Sequence, residues 1–137
     1  MSGQSINAFL GIEREPGYSE YTHLNRVEPG EGEDFALVAP VEDFMLNPYG
    51  IVHGGVYFTL CDNAAGVLMS KLGRYSVTMH GELSLYRAAK PGDTLYARPS
   101  LRKLGRTVSV VLVEVSDQNG RRLADGTFQL YRREQEA

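Results

Sequence analysis

At 137 residues, 42% of them hydrophobic and 23% charged, the chain fits one globular domain, residues 1–137, with a core of useful size. A formal charge of −3 argues against a nucleic-acid or anionic-membrane partner, and the one cysteine, Cys61, excludes an intrachain disulfide and suits a reducing compartment. No run approaches the ~18 apolar residues of a membrane span, and "MSGQSINAFLGIEREPG" has no basic stretch followed by a long apolar one, so a cytoplasmic protein without a signal peptide is expected.

In chain order, Ser5–Leu10 predicts a short amphipathic helix stopped by Gly11, and Tyr18–Val27 an extended segment. "EPGEGED" (28–34) is a loop by its Pro, Gly and acid content, and "FALVA" (35–39) a short strand. The central helix is expected from Gly54 to Leu72, with Gly73 as its cap. "SVTMHGELSLYR" (76–87) follows, then the turn "KPGD" (90–93) and "TLYARPSL" (94–101), where Pro99 suggests an irregular or edge position. "RTVSVVLVEVS" (106–116) is the strongest strand pattern; "DQNG" (117–120) turns it into "RRLADGTFQLYR" (121–132). One long helix followed by an antiparallel meander predicts an α+β domain with the sheet wrapped round the helix.

Asp62 breaks the pattern of that helix. Before it stand Val, Tyr, Phe, Thr, Leu and Cys, and soon after it Ala, Ala, Gly, Val, Leu and Met, as in a core helix. An isolated carboxylate there costs several kcal/mol unless something compensates it. A structural hydrogen bond or an interface would do so, and so would a chemical role. Three neighbouring features favour chemistry. Gly54 and Gly55, after His53, open a helix whose unpaired first-turn amides and positive dipole end suit an oxyanion, although a glycine pair also makes a plain tight turn. Ala65 and Gly66 lie on the face of Asp62 and leave room for a substrate or, equally, for close helix–sheet packing. Asn47 offers an amide to a carbonyl or water, or simply forms a turn before Pro48.

"N-x-x-G-x-x-H-G-G", with an acid eight positions beyond the first glycine of the pair, resembles the hotdog-fold acyl-CoA thioesterases of the phenylacetic-acid-pathway type. "FLGIE" (9–13), "VT" (77–78), "LSLYRAAKPGD" (83–93) and "KLGRTVSVVLVEVSDQNGRRLADGTFQLY" (103–131) extend the resemblance over most of the chain from about residue 35. It implies the hotdog fold, with no cofactor beyond the coenzyme A of the substrate. It also implies a homodimer that pairs further into a homotetramer. Asp62 is then the catalytic general base or nucleophile, the Gly54 amide polarises the thioester carbonyl, and Asn47 positions the carbonyl or water. His53 shapes the turn and touches substrate, Gly55 gives close approach, and Thr78 stands where the family holds the attacking water. His80, Gly81 and Glu82 depart from the family pattern. In an alternating strand Thr78, His80 and Glu82 share one face, which makes His80 a second site residue or an interface histidine.

Thioester hydrolysis suits these residues. A helix-terminal amide stabilises an oxyanion by roughly 3–4 kcal/mol in comparable sites, and a desolvated carboxylate gains basicity toward water. His23, His53 and His80 lack the clustered spacing of a metal site. Cys61 points about 100° from Asp62 round the helix and reads as a small hydrophobe rather than a nucleophile. Coenzyme A carries phosphates, and Lys103 and Arg106, flanking Gly105, are the expected contacts, with Arg87 and Lys90 as further candidates. Gly54 and Asp62 lie eight residues apart, roughly 12 Å along the axis, too far for one thioester. A two-fold pair of antiparallel helices would bring Asp62 of one chain to Gly54 of the other. The rival readings are an acyl-CoA-binding hotdog protein without catalysis and a hotdog hydratase or dehydratase. The latter use a helix histidine with a carboxylate by resemblance, where this chain has Asp62 alone.

Overall fold

The computed structural model describes residues 3–133. One helix packs across a seven-stranded antiparallel sheet, the α+β hotdog arrangement. The elements are β1 (Gln4–Ser5), α1 (Ile6–Leu10), α2 (Tyr18–Tyr21), β2 (Arg26–Pro29), β3 (Phe35–Pro40), a 3-10 turn (Asp43–Met45), α3 (Gly54–Lys71), β4 (Ser76–Leu85), β5 (Thr94–Lys103), β6 (Val108–Ser116) and β7 (Arg122–Arg132). The strands run in the order β1-β2-β3-β5-β6-β7-β4, so the strand that follows the helix ends up at the far edge.

Each β6 residue that faces the helix is a Ser or Val and is buried, and the outward ones are half-exposed. Against this inner face lie Tyr57, Leu60, Cys61, Ala64, Val67 and Met69 of α3, and the core is closed by Leu37, Leu95, Phe128 and Leu130. His53 starts α3: its backbone is extended and its side chain accepts from the Gly55 amide. Lys71 in the last turn complements the negative dipole end. Gly73, at φ 73°, then turns the chain out of the helix in a region that favours glycine.

Two expectations need correction. Tyr18–Val27 is not one extended segment, because the Glu20 side chain accepts from the Gly17 amide at 2.7 Å and closes a helical turn over Tyr18–Tyr21. His23 then takes φ 60°, which redirects the chain into β2. α3 stops at Lys71, one residue short of the expected Leu72, which is its cap. Pro99 sits within an interior strand, yet β3 accompanies β5 only as far as Ala97, so the proline lies past the last partner on that side.

Candidate active site

The start of α3 is organised by two polar side chains. The Nδ1 atom of His53 accepts from the Gly55 amide at 2.9 Å, which puts the imidazole proton on Nε2. A side chain at Gly55 would press on that ring: a Cβ there would stand 3.2 Å from Nδ1. The Gly54 amide belongs to the first turn and has no acceptor within the helix. Asn47 holds the preceding turn through its carbonyl oxygen, which accepts from the Tyr49 and Ile51 amides at 2.9 and 3.4 Å, leaving its amino group as the donor. Asn47, Gly54, Tyr57, Leu85 and Arg87 border a cavity of about 270 Å³. Burial raises the Tyr57 hydroxyl above its ordinary pKa, and its oxygen accepts from the Ala89 amide at 3.0 Å, which ties the 86–93 loop to α3.

Two turns further on, Asp62 is half-exposed and not bare. Thr78 of β4 donates its hydroxyl to Asp62 Oδ1 at 2.6 Å, which is the hydrogen bond that the sequence left open beside a chemical role. The carboxylate stays on the open side of α3 because Cys61, beside it, takes the core side. Cys61 is fully buried, and burial first and the Asp62 charge second push its thiol up to about 12. A thiol so held is no nucleophile at neutral pH.

The small residues after Asp62 divide. Ala65 is fully buried and takes the packing role, because its side chain turns into the core. Gly66 faces open space: apart from its chain neighbours and the backbone of its own helix, nothing lies within 4 Å of where a Cβ would stand.

The shared face expected for Thr78, His80 and Glu82 is also corrected. A bulge between Thr78 and His80 inserts one unpaired residue. Thr78 pairs with the buried Leu130, whereas His80 pairs with Gln129 and Glu82 with Thr127, on the face turned away from α3. His80 and Glu82 contact each other there at 3.4 Å, away from Asp62. Gly81 takes the inner position, where a Cβ would come within 2.6 Å of the Phe128 ring.

Lys103 and Arg106 are exposed at the β5–β6 corner, near the C-terminal end of α3. The chain brings a third cation there that sequence reasoning missed: Arg74 donates to the Gly105 carbonyl at 3.2 Å. Its position directly after the helix-stopping Gly73 is the signal that could have found it. Gly54 and Asp62 remain about eight helical rises, roughly 12 Å, apart within the chain. Its last strand in the sheet order, β4, has β7 on one side and, among the described residues, no strand on the other. Val77, Met79 and Tyr86 on or beside that strand are exposed.

Comparison with known proteins matches residues 49–124 to the thioesterase superfamily. The acyl-coenzyme A thioesterase PaaI of Escherichia coli is 31% identical over 93 residues, 67% of this chain and 66% of that one. A candidate esterase of Deinococcus radiodurans is 37% identical over 70 residues, 51% of this chain but only 47% of the relative. The chain thus spans about half to two thirds of these relatives' length. A hypothetical thioesterase of Streptococcus pneumoniae solved with coenzyme A superposes with a TM-score of 0.76 at 30% identity, covering 82% of this chain and 88% of that one. That protein has also been solved with an aspartate-to-alanine and with a threonine-to-alanine substitution, sixteen positions apart. Among the described residues no helix is long and apolar enough to cross a membrane.

Proposed function

The chain belongs to the thioesterase superfamily, and from that premise we propose that it hydrolyses an acyl-CoA thioester to the free acid and coenzyme A. The observation that carries the reading is the Thr78–Asp62 hydrogen bond on the open side of α3. One carboxylate oxygen accepts the hydrogen bond from the threonine hydroxyl and the other is left to accept a proton from water, with the Thr78 oxygen beside it to hold that water. The two residues are sixteen positions apart, the spacing of the substituted aspartate and threonine in the Streptococcus protein.

In this reading the Gly54 amide receives the carbonyl oxygen at the positive end of α3 and stabilises it as negative charge develops. His53 donates from Nε2 and Asn47 from its amino group toward the same region. Base and oxyanion donor must each lie within about 3 Å of reacting atoms. Because one chain holds its own pair roughly 12 Å apart, two chains make each site, with their α3 helices antiparallel and Asp62 of one beside Gly54 of the other. The open edge of β4 and its exposed apolar residues supply the surface for that pairing. The same two-fold brings the far end of the partner helix, with its counterparts of Arg74, Lys103 and Arg106, toward the phosphates of coenzyme A. Pairs of such dimers form the tetramer. Water is the other reactant, and the chemistry calls for no metal or cofactor.

Thiol release across a panel of acyl-CoAs tests the activity, and Asp62→Asn should lower it at least ~100-fold in a folded protein. Complementation tests the two-chain site. Asp62→Ala and Gly54→Pro should each be inactive alone. Proline fits the first helical position, and His53 already has the extended backbone that proline requires before it. Mixed subunits should recover about a quarter of wild-type activity, one site in half of the dimers. Heterodimers that form and stay inactive would refute the shared site.

A further inference from the structure

A second cavity, of about 340 Å³, lies on the other side of the α3 start, between that helix and α2. His53, Gly55, Phe44 and Met45 line it, and the exposed Tyr18, bonded to Thr59, makes its outer end. It is bordered by no Asp, Glu, Lys or Arg, in contrast to the cavity beside Gly54, which has Asn47 and Arg87. The two cavities therefore differ at the helix start: one is bordered by an amide and a guanidinium, the other by no charged side chain.

The outer end is fastened to α3. Tyr18 Oη lies 3.1 Å from Thr59 Oγ1, one turn after Gly55 and one turn before Asp62 on the open side of the helix. Asn63 of α3 donates to the Leu24 carbonyl at 2.9 Å and fixes the segment that follows α2. His23 bonds Glu42 at 2.7 Å and meets the Phe44 ring edge-on at 5.0 Å, which fixes the side wall. Tyr18 itself is 68% exposed, so its ring closes the cavity without being part of the core.

We propose that this cavity receives the acyl group of the substrate and that Tyr18, held by Thr59, sets the upper limit on acyl size. The proposal rests on the thioesterase reading, since it needs the carbonyl at Gly54. With the thioester there, the coenzyme side extends past Asn47 and Arg87 and the acyl side enters between His53 and Phe44. A wall without charges admits an uncharged acyl group and rejects a carboxylated one, whose desolvation nothing in the wall would offset. At roughly 30 Å³ for a water-sized group, 340 Å³ holds about eleven such groups. Straight acyl chains longer than about eleven carbons therefore run out past Tyr18 or displace it.

The test is the chain-length profile of kcat/KM for acetyl-, hexanoyl-, octanoyl-, dodecanoyl- and succinyl-CoA, together with the Kd of the same series for the Asp62→Asn protein. Wild type should favour hexanoyl and octanoyl over acetyl, dodecanoyl and succinyl by at least tenfold. Tyr18→Ala should raise dodecanoyl relative to hexanoyl by at least tenfold, and Thr59→Val, which removes the tether alone, by about two- to fivefold. Thr59→Phe, which fills the cavity, should move the preference toward acetyl. Turnover with a Tyr18→Ala profile that superposes on wild type overturns the pocket and leaves the hydrolase standing. A length-dependent Kd that shifts in Tyr18→Ala, with no thiol released by wild type, supports the pocket and overturns the hydrolase.

Discussion

β6 and β4 both pair with β7, one on each side, and they differ in almost every other respect. β6 lies between two strands and alternates buried and half-exposed residues without a break from Val108 to Ser116. β4 has a strand on one side, carries a bulge between Thr78 and His80, and exposes Val77 and Met79. Regular alternation on β6 fills the core with its inner face, Ser109, Val111, Val113 and Val115. The irregular strand is the one that presents a hydroxyl to Asp62. On the proposed reading, the chemistry and the surface for a partner lie on the strand that the core needs least.

The largest effect should come from charging the β4 edge. Val77→Asp combined with Met79→Asp adds two carboxylates where the partner strand is to lie. Sedimentation should then report monomers, and thiol release should fall at least ~100-fold because each site loses one of its two chains. A fully active monomer would end the contrast between the strands. Next comes Thr78→Val, which removes the hydroxyl and keeps the branched shape. A hydrogen bond to a charged group contributes about 1.5–3 kcal/mol, so kcat should drop about 10- to 100-fold while KM moves little. An unchanged kcat would make the Thr78 contact structural only.

On β6 the response should be of the other kind. Val113→Ala removes buried methyl groups from the core and should cost about 2 kcal/mol, read as a melting temperature lower by several degrees. Turnover per folded protein should not change. The smallest effect belongs to Cys61, on the core side of α3 next to the open Asp62. With its thiol pushed up to about 12, it should resist alkylation at pH 8 until the protein unfolds. An unfolded thiol titrates near its ordinary value, 9.0, so the stability it contributes is complete below that pH and is lost as pH rises toward 12. Wild type should therefore lose more stability than Cys61→Ala between pH 9 and 11, by at most about 1.4 kcal/mol per unit. Urea midpoints at the two pH values measure the difference.

The same contrast explains what could be read from the sequence. β6 was legible because a run this rich in β-branched valine has a strong strand propensity, and α3 because His53, two glycines and Gly73 punctuate a long apolar run. The β5-β6-β7 meander and the hotdog arrangement followed from these and from the resemblance, whereas the return of β4 to the far side of β7 breaks the expected meander. The bulge in β4 was not legible: one inserted residue has no composition of its own, yet it turned His80 and Glu82 to the far face and left Gly81 against Phe128. α2 was missed because four residues carry no periodicity, although Gly17 followed three places later by Glu20 was its capping signal. The pairing of Asp62 with Thr78 joins residues from two elements, a contact that no local pattern encodes.

The eight positions between Gly54 and Asp62 on α3 also bear on inheritance. If every site draws one group from each chain, an allele that lacks Asp62 alone behaves additively beside a normal copy. Mixed dimers keep one working site, and the total stays at about half. An allele that loses Asp62 and Gly54 together is different in kind. Its chain spoils both sites of any normal chain it joins, so only dimers of two normal chains work, about a quarter of the total. One helix thus carries two lesions, each additive alone, that become dominant-negative when they stand on the same strand of the message.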